Sequence, residues 1–180
     1  GSVSVSATTV SYNAFMGSHW AQLPDGSKPE ILLGTVMETL DQMCVWPGER
    51  ANERLPCAKV SDTAESERVY GTFFGWDEDL VERRDPITNA PIFDEDGKVE
   101  RIPPPTNDMY VAALGAGFVR VNGAFTVSGG ELLDSNGDGT AKPQADGIVR
   151  TRTIAKVSSA TPVNTYPDGS YVVPCVLMCG

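Results

Sequence analysis

The sequence has few positive charges and almost no histidine. Its 180 residues carry 14 Lys and Arg against 24 Asp and Glu, with one histidine, so the formal net charge at pH 7 is −10. Proteins that bind nucleic-acid phosphates or an anionic membrane surface do so through clusters of Lys and Arg. The charge balance therefore argues against both kinds of partner and predicts a chain that stays dispersed through its own charge.

Long apolar runs are also missing. None approaches the ~20 residues of a membrane-spanning helix, and the first residues lack the charged and apolar regions of a signal peptide. We therefore expect no membrane insertion. Residues 3–10 begin as if already inside a strand, which favours a piece of a longer chain. Gly1-Ser2 is then either a cloning remnant or the point of a cut.

The four cysteines form no CxxC pair and no Cys/His cluster with zinc spacing. Cys175 and Cys179 are four apart on a predicted strand, which separates their Cα atoms by roughly 13 Å, whereas a disulfide needs about 4.4–6.8 Å. We expect buried thiols there. Cys44 and Cys57 flank a proline-containing loop, which a disulfide between them can close.

What the chain does have is a succession of short apolar runs separated by turn residues, most clearly in 111–180. The runs are rich in Val, Ile, Thr and Phe, and Asn122-Gly123, 136–139 and Asp168-Gly169 supply turns. The closing run, 171–178, is almost wholly apolar, so we expect it to be paired and covered. We predict a mainly β fold, a compact antiparallel β-barrel or sandwich, with 1–180 as a single domain.

The sequence of the first half of the chain predicts secondary structure less clearly. Residues 17–30 read as a turn-rich loop, and 31–43 fit a helix by spacing or a strand by composition, with Gly34 and two threonines favouring the strand. Ser61-Asp62 suits the cap of one helical turn. Residues 68–76 read as another strand.

A charged, proline-bearing stretch, 77–108, separates that strand from the closing third. It is interpreted as an inserted arm or flap. Its expected ordered piece is a small hairpin with a two-residue turn at Asp96-Gly97, followed by a stiff proline exit at 103–105.

Several groups of side chains fit a catalytic or metal-binding site, and each also has a purely structural interpretation. Residues 134–139 copy the first half of a calcium loop but lack the glutamate at position 12, where Ala145 stands, so a hairpin turn is favoured.

Ser18 and His19 resemble a nucleophile and its base only if they lie in a loop, since neighbours on a strand point to opposite faces. A loop histidine beside a packing tryptophan is the alternative.

Two acidic runs and the aromatic residues also have two interpretations each. The runs 77–79 and 94–96 fit a cation or paired-carboxylate site, although a solvated charged face is favoured. The aromatic residues suit a saccharide-binding surface but more commonly pack in a core or subunit seam; they are Tyr12, Trp20, Trp46, Trp76 and Tyr110. No catalytic, cofactor-binding or metal-binding residue is assigned.

The order of these strands and turns resembles the carboxy-terminal domains of tailed-phage appendage proteins, which are tail fibres, tailspikes and neck appendages. The nearest group is the peptidase G2 domain, an intramolecular chaperone with self-cleavage. The resemblance covers 69–180, and 10–46 more faintly, and the chain departs from it in 77–108. The matching residues are Val119, Val121, Asn122, Gly123, 131–133, 135–142, Ile148, Val149, Ala155 and 171–177.

This resemblance implies a homotrimeric structural domain of a virion, extracellular after release, that serves trimer assembly and contact with a host-surface glycan or protein. Other virion proteins are the further partners expected, and no cofactor is expected. Two alternatives stay open, a self-cleaving chaperone domain and a capsid decoration protein. The family's cleavage residues find no matching positions in this chain, so none is carried over.

Overall fold

The computed structural model of the chain describes residues 3–6, 9–12, 16–46 and 55–179, and within these ranges it is all β with no helix. The predicted mainly β class is therefore confirmed. In chain order the strands are β1 (Val3–Ser6), β2 (Thr9–Tyr12), β3 (Met16–Ala21), β4 (Val36–Met43), β5 (Pro56–Val60), β6 (Val69–Trp76), β7 (Val81–Glu82), β8 (Arg101–Ile102), β9 (Met109–Val121), β10 (Leu132–Ser135), β11 (Ala141–Pro143), β12 (Ala155–Val157), β13 (Asn164–Thr165) and β14 (Tyr171–Met178).

Five strands close into a barrel in the order β9, β14, β12, β10, β11 and back to β9. The predicted barrel is thus confirmed, but its expected antiparallel character is wrong at one seam, because β11 runs parallel to β9 with Ala141 opposite Val121. The reason is geometric. Strand direction cannot alternate all the way around a ring with an odd number of members, so one neighbouring pair has to be parallel.

The closing strand β14 is paired as expected and is buried on its inner side. It pairs with β9 along its whole length, with β12 at Cys175–Leu177 and with β13 at its start. Its alternate residues Val173, Cys175 and Leu177 point into the barrel core and are at most 2% exposed. Burying a Val or Leu side chain fully contributes about 1.5–3 kcal/mol, so this strand is a major source of the barrel's stability.

Strand β9 joins the barrel to a second sheet. Its first half lies between β3 and β6, and its second half belongs to the barrel wall. Beyond β6 the second sheet continues through β4 and β5. Two apolar cores result, one inside the barrel and a smaller one beneath the second sheet that contains Met37, Phe73 and Met109.

The structure differs from three local predictions for the first half of the chain. Residues 17–30 are not all loop, because β3 pairs with β9 across a bulge at Gly17 and Ser18. The strand predicted over 31–43 begins only at Val36. No helical turn follows Ser61, because Ala64 forms a β-bridge with Asn136 and the amide of Glu65 donates to the carbonyl of Ser135 at 2.9 Å. In each case a neighbouring strand overrides local preference.

Between β6 and β9 the chain forms a separate two-stranded sheet from β7 and β8. The predicted hairpin is present, with Phe93 bridged to Val99. Its turn is longer than the two residues expected, because the amide of Asp94 donates to the carbonyl of Lys98 at 2.8 Å. The role of 77–108 as an arm stays a prediction.

Candidate functional site: an apolar outer face of the barrel

The outward-pointing side chains of β9 and β14 form a continuous uncharged surface, which we call the outer apolar face. The strand register places its six residues in three facing pairs, Leu114 with Met178, Ala116 with Val176, and Phe118 with Pro174. Leu114 is 47% exposed and Val176 is 44% exposed. Adjacent apolar pairs of this kind mark a contact surface more often than scattered apolar residues do.

The outer apolar face exists because β9 and β14 are apolar on both sides. Their inward residues fill the barrel, and a side chain on Gly117 would displace that of Leu177. A Cβ atom on Gly117 would lie 2.5 Å from Cδ1 of Leu177. A strand with apolar residues on both sides is typical of a strand covered on both sides, yet the described residues leave Leu114 and Val176 close to half exposed.

Partners cannot readily reach this face by adding a strand. Both edges of β14 are taken, by β9 on one side and by β12 and β13 on the other. A partner therefore has to pack against the side chains. Two cations flank the face. Exposed Lys156 on β12 is paired with Val176, and Arg120 follows Phe118 by two residues on β9.

A buried polar network, unforeseen in the sequence, links β4, β5 and β10. The Ser61 hydroxyl lies 2.6 Å from Oε1 of Glu38 and 2.5 Å from the Ser135 hydroxyl, and Lys59 Nζ is 3.6 Å from Oε2 of Glu38. A hydroxyl beside a carboxylate is the beginning of a nucleophile-and-base pair. However, Glu38, Ser61 and Ser135 are at most 2% exposed, so the network fits a structural role and offers no entry for an external substrate.

Ser18 and His19 do not form a catalytic pair. Both lie on β3, where adjacent side chains point to opposite faces. The His19 ring stacks on Tyr70 with 3.9 Å between centroids, and burial lowers the pKa of His19 below its usual value. The packing interpretation of this histidine is the one the structure favours.

The half calcium loop is a hairpin turn between β10 and β11. Its two aspartates face different partners. Asp134 lies 3.2 Å from Nε of Arg152, whereas Asp138 accepts hydrogen bonds from Asn122 and Thr140. No group of three or more His, Cys, Asp or Glu placed to hold a metal ion occurs within the described ranges.

The acidic runs stabilise the turns in which they lie, because Asp77 and Asp94 accept hydrogen bonds from backbone amides two residues further along the chain. The aromatic residues do not converge on one surface. Trp20 and Tyr110 are neighbours with centroids 6.4 Å apart, and Trp20 packs against the buried cluster that contains Trp46. Trp76 lies apart from them, against Phe73 in the smaller core. The side chain of Tyr12 lies outside the described part of the chain.

The four cysteines are free thiols in this structure. Cys175 is buried in the barrel core and Cys179 is partly buried beside it, and burial raises the pKa of both thiols to about 12. Cys44 and Cys57 share a separate buried cluster with Trp46. The disulfide between them stays a prediction.

Comparison of the chain with protein-family models, with curated proteins and with solved structures found no match. Within the described ranges there is no helix long and apolar enough to cross a membrane.

Proposed function

We propose that this chain is a non-enzymatic structural domain of a tailed-phage virion appendage, a fibre or spike, that works as a homo-oligomer, with a trimer favoured. The observation that carries the proposal is the outer apolar face, which lies on two centrally paired strands and keeps Leu114, Ala116 and Val176 exposed. The strand-and-turn resemblance of 69–180 to phage appendage domains supplies the virion setting and the expected contact with the host surface.

Energetics support self-association through this face. Leu114 and Val176 each keep nearly half of their surface exposed, so covering both would contribute roughly 1 kcal/mol per side chain in each subunit. Repulsion opposes contact elsewhere, because each copy carries a net charge of −10. Six uncharged residues in facing pairs are therefore a favourable place for two copies to meet.

The test is size-exclusion chromatography with light scattering at micromolar concentration. The unmodified chain should run as an oligomer, and Val176→Glu should run as a monomer because it places an acid in the centre of the face. Ile87→Glu is the matched control, since Ile87 is 91% exposed in a different part of the chain. A monomeric unmodified chain would refute the proposal, and an oligomeric Val176→Glu variant would refute the assignment of the face.

A self-cleaving chaperone is the second candidate, favoured by the contact between the Ser61 hydroxyl and Glu38. Only a peptide bond of the chain itself could reach so buried a hydroxyl. The chain is expressed with its native upstream segment and examined on a denaturing gel. A cut that Ser61→Ala abolishes would establish this activity, and a single uncut band would remove it.

A further inference from the structure

Cys44 and Cys57 lie where β4 and β5 come together. The amide of Cys44 donates to the carbonyl of Leu55 at 2.9 Å, and its thiol donates to the carbonyl of Pro56 at 3.4 Å. Cys57 follows Pro56 directly. The pairing of β4 with β5 shifts register between Thr39 and Met43, which moves Cys44 into its position beside the start of β5.

The two thiols share one dry environment. Cys44 is 8% exposed and Cys57 is 2% exposed, and they belong to one apolar cluster with Trp46, against which Trp20 and Leu55 pack. The Cys44 thiol donates to the carbonyl of the peptide bond that joins Pro56 to Cys57. The two cysteines are therefore neighbours in one buried cluster, and closeness in the fold is the first requirement for a disulfide.

The residue after Cys44 is tied into a polar junction. Val45 donates to Oε1 of Gln22 at 3.2 Å, and Gln22 in turn donates to Asp108 at 2.8 Å. Trp46 donates to the other oxygen of Asp108 at 2.8 Å. Asp108 directly precedes β9, so this junction connects the end of β4 to the strand shared by both cores.

We propose that Cys44 and Cys57 are a cross-linking pair that forms an intrachain disulfide under oxidising conditions and locks this junction. The inference is independent of the proposed function. Cys175 and Cys179 are not a competing pair, because both point into the barrel from positions four residues apart on one extended segment.

The oxidant is a low-molecular-weight disulfide such as oxidised glutathione. The thiolate of one cysteine attacks it, forms a mixed disulfide and releases one glutathione thiolate. The second cysteine, after losing its proton, then displaces the other glutathione. Two S–H bonds are lost and one S–S bond forms, and the two electrons reduce the glutathione disulfide to two thiols.

Burial of the two thiols slows disulfide formation once the chain has folded. Burial, followed by the neighbouring Cys57 thiol, raises the pKa of Cys44 to about 12, and only the thiolate is reactive. The folded, reduced chain should therefore oxidise slowly at neutral pH. The same chain refolded from denaturant in a glutathione redox buffer should oxidise readily, because the thiols are exposed until the cluster closes.

The experiment measures intact mass under non-reducing conditions after such refolding, with peptide mapping of the cross-link. The unmodified chain and the control Cys175→Ser should each lose the mass of two hydrogen atoms, with the bond mapped to Cys44 and Cys57, and Cys57→Ser should lose nothing. Reduction should lower the Tm of the oxidised unmodified chain by about 5–12 °C and leave Cys57→Ser unchanged.

Two results would overturn the proposal. One is an unchanged mass in the unmodified chain after refolding. The other is a cross-link that persists in Cys57→Ser, maps to Cys175 and Cys179, or joins two chains.

Discussion

Leu177→Ala tests whether the closing strand is an integral part of the barrel. Leu177 is fully buried among the barrel residues, and removing a buried Leu side chain to Ala costs about 2–5 kcal/mol of unfolding free energy through lost transfer energy and the cavity left behind. For a chain of this size that corresponds to a fall in Tm of roughly 4–20 °C. The adjacent Val176→Ala change should cost under ~1 kcal/mol in the same strand, because that side chain points outward and is already 44% exposed.

The assay is urea unfolding followed by tryptophan fluorescence for both variants and the unmodified chain. It is run at two protein concentrations, since a loss at a subunit interface depends on concentration and a loss in the core does not. A cost below about 1 kcal/mol for Leu177→Ala, or equal costs for the two variants, would show that β14 does not divide into an inner and an outer face as described.

Three further changes probe the network, a glycine contact and the histidine. Ser61→Ala should cost about 1–3 kcal/mol in chemical denaturation, because Glu38 loses its closest buried donor. Gly71→Ala should cost roughly 2–4 kcal/mol in the same assay, because Gly71 has φ +147 and a Cβ atom there would lie 2.3 Å from the carbonyl oxygen of Ala112. Because burial holds the pKa of His19 below 6.5, the unfolded chain binds more protons just below that pH. The Tm in thermal melts should therefore be highest above pH 6.5 and should fall as the pH drops below it. His19→Gln should remove the part of this fall that protonation of His19 causes.

What the sequence alone determined about this protein is its local structure where chain neighbours decide it. The almost wholly apolar run 171–178 predicts β14 and its pairing, and Gly137 and Gly139 adopt the positive φ values, +86 and +77, expected for their turn. The sequence also predicts Gly123 as a turn glycine with positive φ. The structure needs glycine there for a different reason, because a Cβ atom would lie 2.3 Å from the carbonyl oxygen of Gly169.

Contacts between distant parts of the chain were decided only by the tertiary structure. The turn-rich composition around β3 predicts a loop, and only the hydrogen bonds offered by β9 make it a strand. Ser61 meets Glu38 across 23 residues and Ser135 across 74, separations that leave no local pattern. The parallel seam and the outer apolar face likewise depend on barrel closure, because which side of a strand faces the core is settled only when its neighbours are in place.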